Sequence, residues 1–278
     1  MRISKMLLKR GLFIGLILTM CCFGQGLAAS GAEITIKGST TVLPIAQLAA
    51  EEFMDAHPEV DISVQGGGSG MGIASLLDGT TEIATASRKI KAKELGRARA
   101  NGIQVVETPI AVDGIAVIIH PTNKLKDLSI QQIRAVYTGD ISNWKGIGGK
   151  DMKIVVISRD TSSGTFETFE KLALNKQKVR PDALTVASNM TVARTVAQTP
   201  GAIGYVGLGY ITKRVKALSV DRVECTRETI KSGHYPLARE LFIYTDGQPA
   251  GQTREFIDYI LSTEGQDLVR AEGFIGIR

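Results

Sequence analysis

The strongest constraint on the fold of this chain is a local arrangement that occurs three times along it. A short β-type run ends, a turn of glycine, serine and threonine follows, and a helix-type run begins; the turns cover residues 38–41, 66–70 and 159–165. Backbone N–H groups in the first turn of a helix have no partner within the helix and carry a partial positive charge. Glycine lets a ligand approach this backbone, and hydroxyl groups add donors without adding charge. The three turns therefore predict a binding site for an oxyanion.

Helix capping is the alternative explanation for each turn, because serine and threonine are common at helix N-termini for structural reasons alone. For any single turn the capping explanation is sufficient. Three such turns in one chain, two of which contain Ser-Gly, favour the anion site.

Strand-type and helix-type runs alternate along the whole chain, which is typical of an α/β protein with helices on both faces of its sheets. The predicted strands cover residues 33–37, 61–65, 82–85, 115–120, 153–158, 202–206 and 241–245. The predicted helices cover residues 41–56, 72–77, 130–138, 165–174 and 251–270. A chain of 278 residues is long enough for two domains. Because the sequence has no Pro- or Ser-rich linker, we expect ordinary strands to join them.

Residues 1–29 have the three parts of a secretory signal peptide. Basic residues at the start are followed by an apolar run over residues 12–20 and then by small residues. The apolar run is shorter than the roughly 20 residues that a membrane-spanning helix needs, so we predict cleavage and export to the periplasm or the cell envelope. A lipid-anchored form through Cys21 or Cys22 is the alternative. Removal of the leader leaves Cys225 as the only cysteine, which excludes an internal disulfide.

The net charge of the chain comes mostly from the same leader. The full sequence has a formal charge of +5, and residues 1–29 contain four lysines and arginines and no acidic residue. The rest of the chain carries 29 basic and 28 acidic residues, so its composition gives no general attraction for polyanions. We therefore expect no nucleic acid among its partners.

Motifs for catalysis and metal binding are missing from the sequence. Residues 66–70 lack the Lys-Ser/Thr ending of a nucleotide phosphate loop, and Met71 stands where a nucleophile elbow needs its second glycine. The three histidines are isolated, and no cluster of His, Asp and Glu has metal-ligand spacing. We therefore predict no enzymatic activity, no cofactor and no metal. The aromatic content of 5% disfavours a sugar site, and hydroxyls with glycine amides suit a small tetrahedral oxyanion better than an extended ligand.

Seven blocks of the sequence resemble, in the same order, those of the phosphate-binding component of bacterial phosphate ABC transporters. The blocks cover residues 37–44, 65–70, 86–88, 112–116, 137–144, 159–165 and 201–207. The resemblance implies an α/β, two-lobed, periplasmic-binding-protein-like fold that closes on phosphate in the cleft between its lobes. Lobe 1 would comprise residues 33–113 and 241–278, lobe 2 would comprise residues 114–240, and two crossing segments would join them. It also implies delivery to an inner-membrane permease driven by an ATPase, and we expect a monomer.

Ligand-binding residues follow from the same resemblance, first of all in the third turn. The block there matches the family pattern at Arg159, Ser163, Gly164 and Thr165. Arg159 would neutralise the charge of the anion, and the other three would donate hydrogen bonds from side chains and helix-start amides. A surface ion pair of Arg159 with Asp160 or a neighbouring carboxylate is the alternative.

The first two turns would add the hydroxyl groups of Ser39, Thr40 and Ser69. Some family members follow the Ala-Ser pair of the third block with an aspartate that accepts the proton of the phosphate, but here Arg88 stands at that place. Asp113 is the expected replacement acceptor, and a structural cap of the hinge strand is its alternative role. Arg88 would contact the anion or pair with Asp113. The acceptor matters because a carboxylate admits protonated phosphate and repels sulfate.

The leading hypothesis is an exported protein that binds inorganic phosphate without catalysis for import by an ABC transporter. Two alternatives from other functional classes stay open. One is an exported phosphatase or phosphoryl-transfer enzyme with the same anion site, which would need a nucleophile with a base or a metal pair. The other is a binding module for another tetrahedral oxyanion or for phosphate sensing.

Overall fold

The computed structural model describes residues 32–278, and the predicted signal peptide with Cys21 and Cys22 lies outside them. Within this range the chain forms eleven strands and nine α-helices. The strands are β1 (Ala32–Gly38), β2 (Val60–Gly66), β3 (Ile83–Ala86), β4 (Val105–Ile119), β5 (Asp127–Leu128), β6 (Val155–Arg159), β7 (Leu184–Val186), β8 (Ala202–Gly207), β9 (Lys216–Ala217), β10 (Ser219–Val220) and β11 (Ala238–Asp246). The helices are α1 (Leu43–Ala56), α2 (Ser69–Leu77), α3 (Ala92–Ala100), α4 (Ile130–Thr138), α5 (Gly164–Leu172), α6 (Asn189–Gln198), α7 (Arg227–Lys231), α8 (Gly251–Leu261) and α9 (Thr263–Ala271). None of these helices is both long and apolar enough to cross a lipid bilayer.

Nine of the strands form one mixed sheet in the order β2-β1-β3-β11-β4-β8-β6-β7, with β9 beside β4. At one end β1 runs parallel to β2 and β3, and at the other end β6 runs parallel to β7 and β8. The long antiparallel strands β4 and β11 connect the two ends: β4 pairs with β11 as far as Gly114 and with β8 from Ile115 onward. The alternation of strands and helices confirms the α/β fold class.

Buried apolar side chains form four clusters, and these divide into two groups along the chain. Two clusters consist of residues from 34 to 111 and from 241 to 274. The other two consist of residues from 115 to 237, with Ile275 as the exception. We therefore propose the boundaries expected from the sequence as the division between lobe 1 and lobe 2, with β4 and β11 as the crossing segments.

Some element boundaries differ from those predicted. Helix α4 has the predicted bounds, Ile130–Thr138. The single helix predicted over residues 251–270 is wrong, because Ser262 has an extended backbone with ψ 171° and its hydroxyl accepts a hydrogen bond from the Gly265 amide, which starts α9. Strand β4 is also longer than the predicted strand, which began at residue 115. Its first half was missed because half-buried and exposed residues alternate there and no continuous apolar run is present. Helices α3, α6 and α7 are not among the predicted elements.

Candidate functional site

Four helices begin at the carboxyl ends of the parallel strands. On one side α1 follows β1 and α2 follows β2, and on the other side α5 follows β6 and α6 follows β7. The two groups of strands run in opposite directions from the two ends of the sheet, so their carboxyl ends face each other. Ligands of open α/β sheets bind at the carboxyl ends of strands, where helix N-termini and loops converge. The hydroxyl oxygens of Thr41 and Thr165 lie 3.0 Å apart, and the side-chain amide of Asn189 lies 3.2 Å from the hydroxyl of Thr40. These contacts join turns from the two sides of the sheet.

Arg159 is the last residue of β6, and only 3% of its surface is exposed. Its Nε donates to the carbonyl oxygen of Val186 at 3.1 Å. Its Nη2 donates to the carbonyl oxygen of Ala187 at 2.8 Å and to the hydroxyl of Thr40 at 3.3 Å. The third nitrogen, Nη1, is buried without a hydrogen-bond partner among residues 32–278. The neutral contacts therefore fix the guanidinium group in place and leave one of its nitrogens available to a ligand.

No carboxylate in the described part of the chain contacts the guanidinium of Arg159 directly, although the charge of Asp160 acts on it from a distance. None of the ion pairs found there includes this residue. The alternative role of Arg159, an ion pair with Asp160, is therefore wrong, and the Asp160 carboxylate instead accepts from the Ser162 amide at 2.9 Å. Burial lowers the pKa of Arg159 from its usual value, as expected for a cation withdrawn from water.

Two of the predicted serines hold the turns in shape. The Ser39 hydroxyl oxygen accepts from the backbone amides of Thr41 and Val42 at 3.1 and 3.4 Å. The Ser163 hydroxyl oxygen accepts from the amide of Phe166 at 3.2 Å and caps α5. The capping explanation thus describes both of these hydroxyl groups, and they orient the turns that carry the other donors.

Gly164, the first residue of α5, lies against the second predicted turn. A Cβ atom on Gly164 would lie 2.3 Å from the Ser69 hydroxyl oxygen and 2.7 Å from that of Ser87. Ser69 is fully buried, and its hydroxyl oxygen accepts from the Ser87 amide at 3.0 Å. The amide of Gly70 also donates to the carbonyl oxygen of Ser162 at 2.8 Å. All three predicted turns therefore converge on one place.

Substitution Gly164→Ala should prevent this close approach. The added methyl group needs a displacement of buried Ser69, and overpacking of this kind costs roughly 1–3 kcal/mol. We therefore expect the affinity for phosphate, measured by calorimetric titration, to fall about 10- to 100-fold. Gly96→Ala is the matched control, because a Cβ atom at Gly96 meets no atom within 4 Å. Equal affinities of the two variants would contradict the packing argument.

Arg88 is held by two carboxylates other than Asp113. Its Nη1 and Nη2 donate to Glu94 at 2.9 and 2.8 Å, and its Nε lies 2.9 Å from an oxygen of Glu167. The Lys91 ammonium lies 2.5 Å from the same Glu167 oxygen. Burial acts to lower the pKa of Arg88, but the bond to Glu94 and the charge of Glu167 prevail and raise it. The predicted pairing of Arg88 with Asp113 is therefore wrong, and Arg88 links α3 to α5.

Asp113 pairs with a different arginine on the crossing strands. It is fully buried on β4 opposite Arg239 of β11, and its Oδ2 accepts from Nε and Nη2 of Arg239 at 2.9 and 2.7 Å. Its Oδ1 accepts from the Leu208 amide at 2.9 Å. Burial raises the pKa of Asp113 and lowers that of Arg239. Because Nη2 of Arg239 also donates to the Thr41 hydroxyl at 3.1 Å, this ion pair reaches the site; the role of Asp113 as acceptor of a ligand proton stays a prediction.

Four buried polar residues at the site were missed by the sequence reasoning: Thr41, Ser87, Asn189 and Arg239. Thr41 and Ser87 lie within the blocks that carry the family resemblance, so a signal for them was present. Asn189 follows Ser188, the N-cap of α6, directly after a short strand. This is the same arrangement as in the three turns but without a glycine. Arg239 lies within a strand and has no comparable signal.

The sequence is similar to known proteins along most of its length. A family model described as the PBP superfamily domain matches residues 24–264. Phosphate-binding protein PstS of Bacillus subtilis is 38% identical over 255 residues, which cover 91% of this chain and 83% of that protein. PstS of Borreliella burgdorferi is 34% identical, with 88% of this chain and 90% of that protein covered. A solved structure from Clostridium perfringens, described as a phosphate ABC transporter substrate-binding protein with bound phosphate, has a TM-score of 0.82 and 35% identity and covers 88% of this chain and 100% of that one.

Proposed function

The chain belongs to the PBP superfamily and, within it, to the PstS family of phosphate-binding proteins, and we propose that it captures inorganic phosphate in the cleft between its two lobes for import by an ABC transporter. One observation carries the proposal: the guanidinium of Arg159 is buried with a free Nη1 and with no carboxylate partner in residues 32–278. An uncompensated buried charge is costly. A small anion that enters the cleft would supply the missing counter-charge and stabilise the closed form.

The phosphate contacts that we propose come from both lobes. Nη1 of Arg159 would make the charge-assisted bond, and the hydroxyls of Thr40 and Thr165 would donate from either side. The backbone amides of Gly164 and Thr165 lie in the first turn of α5 and have no partner within the helix. Ser69 lies beside Gly164 and would complete the set. An anion bound here would therefore receive donors from helix N-termini as well as from side chains.

Calorimetric titration tests this function directly. Phosphate is added at neutral pH to protein stripped of bound ligand, and the titration is repeated in excess sulfate. Binding of micromolar affinity or better, about −8 kcal/mol, that survives sulfate would support phosphate capture and an acceptor carboxylate such as Asp113. Displacement by sulfate would assign the site to another tetrahedral oxyanion. No heat from any tetrahedral anion, in folded and ligand-free protein, would overturn the proposal.

Glu167 supplies an ion-pair network that we propose stabilises the closed form. It lies on α5 of lobe 2, whereas its partners Arg88 and Lys91 belong to lobe 1, and the exposed side-chain fractions of Arg88 and Glu167 are 7% and 14%. Opening of the cleft must separate these charges. The pairs therefore act after the ligand has entered.

Substitution Glu167→Gln should speed the release of phosphate. The loss of a partly buried ion pair is worth about 1–2 kcal/mol, so we expect affinity to fall roughly 5- to 30-fold, with the association rate nearly unchanged. Stopped-flow fluorescence through Trp144 or a coupled dye would measure both rate constants. Glu170→Gln, on the same helix and outside the network, is the control. An unchanged dissociation rate in the Glu167 variant would refute the proposed role.

Several further properties belong to the same proposal. The protein would be a monomer without catalytic activity, would be exported by the signal peptide over residues 1–29, and would deliver phosphate to a membrane permease. A lipid anchor at Cys21 or Cys22 is an alternative form. Release of phosphate from phosphate esters by the purified protein would establish the phosphatase alternative, and stable binding without turnover would support transport or sensing.

A further inference from the structure

We propose that Asn189 is a positioning residue that makes the hydroxyls of Thr40 and Thr165 donate rather than accept hydrogen bonds. The closed cleft then presents donors to its ligand and selects the deprotonated oxygens of hydrogenphosphate. This inference rests on the proposed function and adds which oxygens of the ligand face these hydroxyls. Asn189 is fully buried as the first residue of α6, and it contacts the turn before α1.

The orientation of the Asn189 amide follows from a neighbour that can only donate. The backbone N–H of Gly207 lies 3.2 Å from Oδ1 of Asn189, so the oxygen faces Gly207 and the nitrogen faces the opposite way. Nδ2 then donates its two hydrogens to the hydroxyl oxygens of Thr40 and Thr41, at 3.2 and 3.0 Å. One amide group therefore acts on two adjacent hydroxyls across the cleft.

Both acceptor positions of these hydroxyl oxygens are filled. A hydroxyl has two lone pairs and one hydrogen. The hydroxyl oxygen of Thr40 accepts one hydrogen bond from Asn189 and another from Nη2 of Arg159 at 3.3 Å. The hydroxyl oxygen of Thr41 accepts one hydrogen bond from Asn189 and another from Nη2 of Arg239 at 3.1 Å. The only remaining hydrogen-bonding capacity of each hydroxyl is its own hydrogen, which must be donated.

The same constraint passes from Thr41 to Thr165. Their hydroxyl oxygens are 3.0 Å apart, and since Thr41 must donate, Thr165 accepts this bond. The hydrogen of Thr165 is then directed away from Thr41. Together with Nη1 of Arg159 and the hydrogen of Thr40, it forms a set of donors for one anion. A protonated oxygen at these positions would face a donor and lose a hydrogen bond, so the proton of hydrogenphosphate must lie on the side away from them.

A double-mutant cycle tests whether Asn189 acts through the hydroxyls. Asn189→Ala removes two hydrogen bonds that orient donors, and we expect an affinity for inorganic phosphate about 10-fold weaker by calorimetry. In the background of Thr41→Val the same change should cost about threefold, because only Thr40 is left to orient. Equal factors in both backgrounds would overturn the inference. Gln198→Ala, at the exposed end of α6, should bind as the native protein does.

Asn189→Asp gives a second readout that a packing role would not move. The carboxylate has nearly the same shape, but it accepts hydrogen bonds, so Thr40 and Thr41 would turn towards it and away from the ligand. We expect the affinity of this variant for phosphate to be more than about 100-fold weaker than that of the native protein at pH 8. The difference in affinity should become smaller as the pH falls, because the introduced carboxyl group gains a proton. For Asn189→Ala the difference should stay constant with pH. A constant difference for the Asp variant would overturn the inference.

The controls separate this inference from the proposed function. Circular dichroism and thermal unfolding confirm that each variant is folded, and Asn189→Ser replaces Asn189→Ala in the cycle if the alanine variant does not fold. Absence of phosphate binding by the native protein would refute the function itself. Native binding with independent effects of Asn189 and Thr41 would refute the inference alone.

Discussion

Replacement of Arg159 by alanine is expected to weaken phosphate binding about 1,000-fold. This factor corresponds to about 4 kcal/mol of binding free energy, and loss of one partner from a buried charge pair costs roughly 2–5 kcal/mol. The same substitution should not lower the stability of the ligand-free protein. The guanidinium of Arg159 is buried without an ion-pair partner in residues 32–278, so its removal relieves a desolvated charge and offsets the loss of its hydrogen bonds to Val186, Ala187 and Thr40. The free energy of unfolding without ligand should therefore stay the same or rise.

Calorimetry and thermal unfolding, each with and without phosphate, measure both halves of this prediction. Saturating phosphate should raise the melting temperature of the native protein, because a ligand that binds only the folded state stabilises it. The same phosphate concentration should leave the melting temperature of the Arg159→Ala variant unchanged. Arg194→Ala, an exposed arginine on α6, is the matched control. Near-native affinity of the Arg159 variant would remove this residue from the site.

Much of the fold was predictable because its signals are local. Alternating apolar periodicities identified the α/β class, and helix α4 was predicted with its observed bounds. The meeting of the first two turns also follows from local order, since β1 and β2 are parallel and their carboxyl ends lie at one edge of the sheet. The third turn follows β6, which runs opposite to β1, and it reaches the other two only because β4 joins the two groups of strands end to end. The break between α8 and α9 could not be predicted in this way. Ser262 ends one helix and caps the next, but the apolar pattern of the sequence continues across it.

The partners of the arginines could not be predicted, because charge pairing is decided by tertiary contacts. Three buried arginines lie at or beside the site, and each has a different environment. Arg88 has two carboxylates and Arg239 has one, whereas Arg159 has only carbonyl and hydroxyl oxygens. In the sequence, an acidic residue directly follows Arg159, yet that carboxylate faces its own loop. Pairing separates the structural arginines from the one that we assign to the ligand.

Substitution of Arg239, the buried arginine with a single carboxylate partner, is expected to lower the stability of the folded protein. Arg239→Met leaves Asp113 buried without its counter-charge, and Asp113→Asn does the same to Arg239. Breaking a buried pair from one side costs about 3–5 kcal/mol, which lowers the melting temperature of a chain of this size by roughly 10 °C. The double variant Asp113→Asn/Arg239→Met removes both charges and should be more stable than either single variant.

The pH dependence of stability distinguishes this electrostatic effect from lost packing. Without Arg239, burial still outweighs the hydrogen bond from the Leu208 amide and raises the pKa of Asp113 in the folded protein above the value in the unfolded chain. The folded state then holds a proton that the unfolded chain releases, so stability falls as the pH rises through the unfolded pKa and recovers as the pH is lowered. The deficit of Arg239→Met relative to the native protein, measured by chemical denaturation, should therefore shrink towards acidic pH. The deficit of Asp113→Asn should not shrink in this way, because an arginine does not lose its charge in that range. A deficit that is independent of pH in both variants would assign the effect to packing.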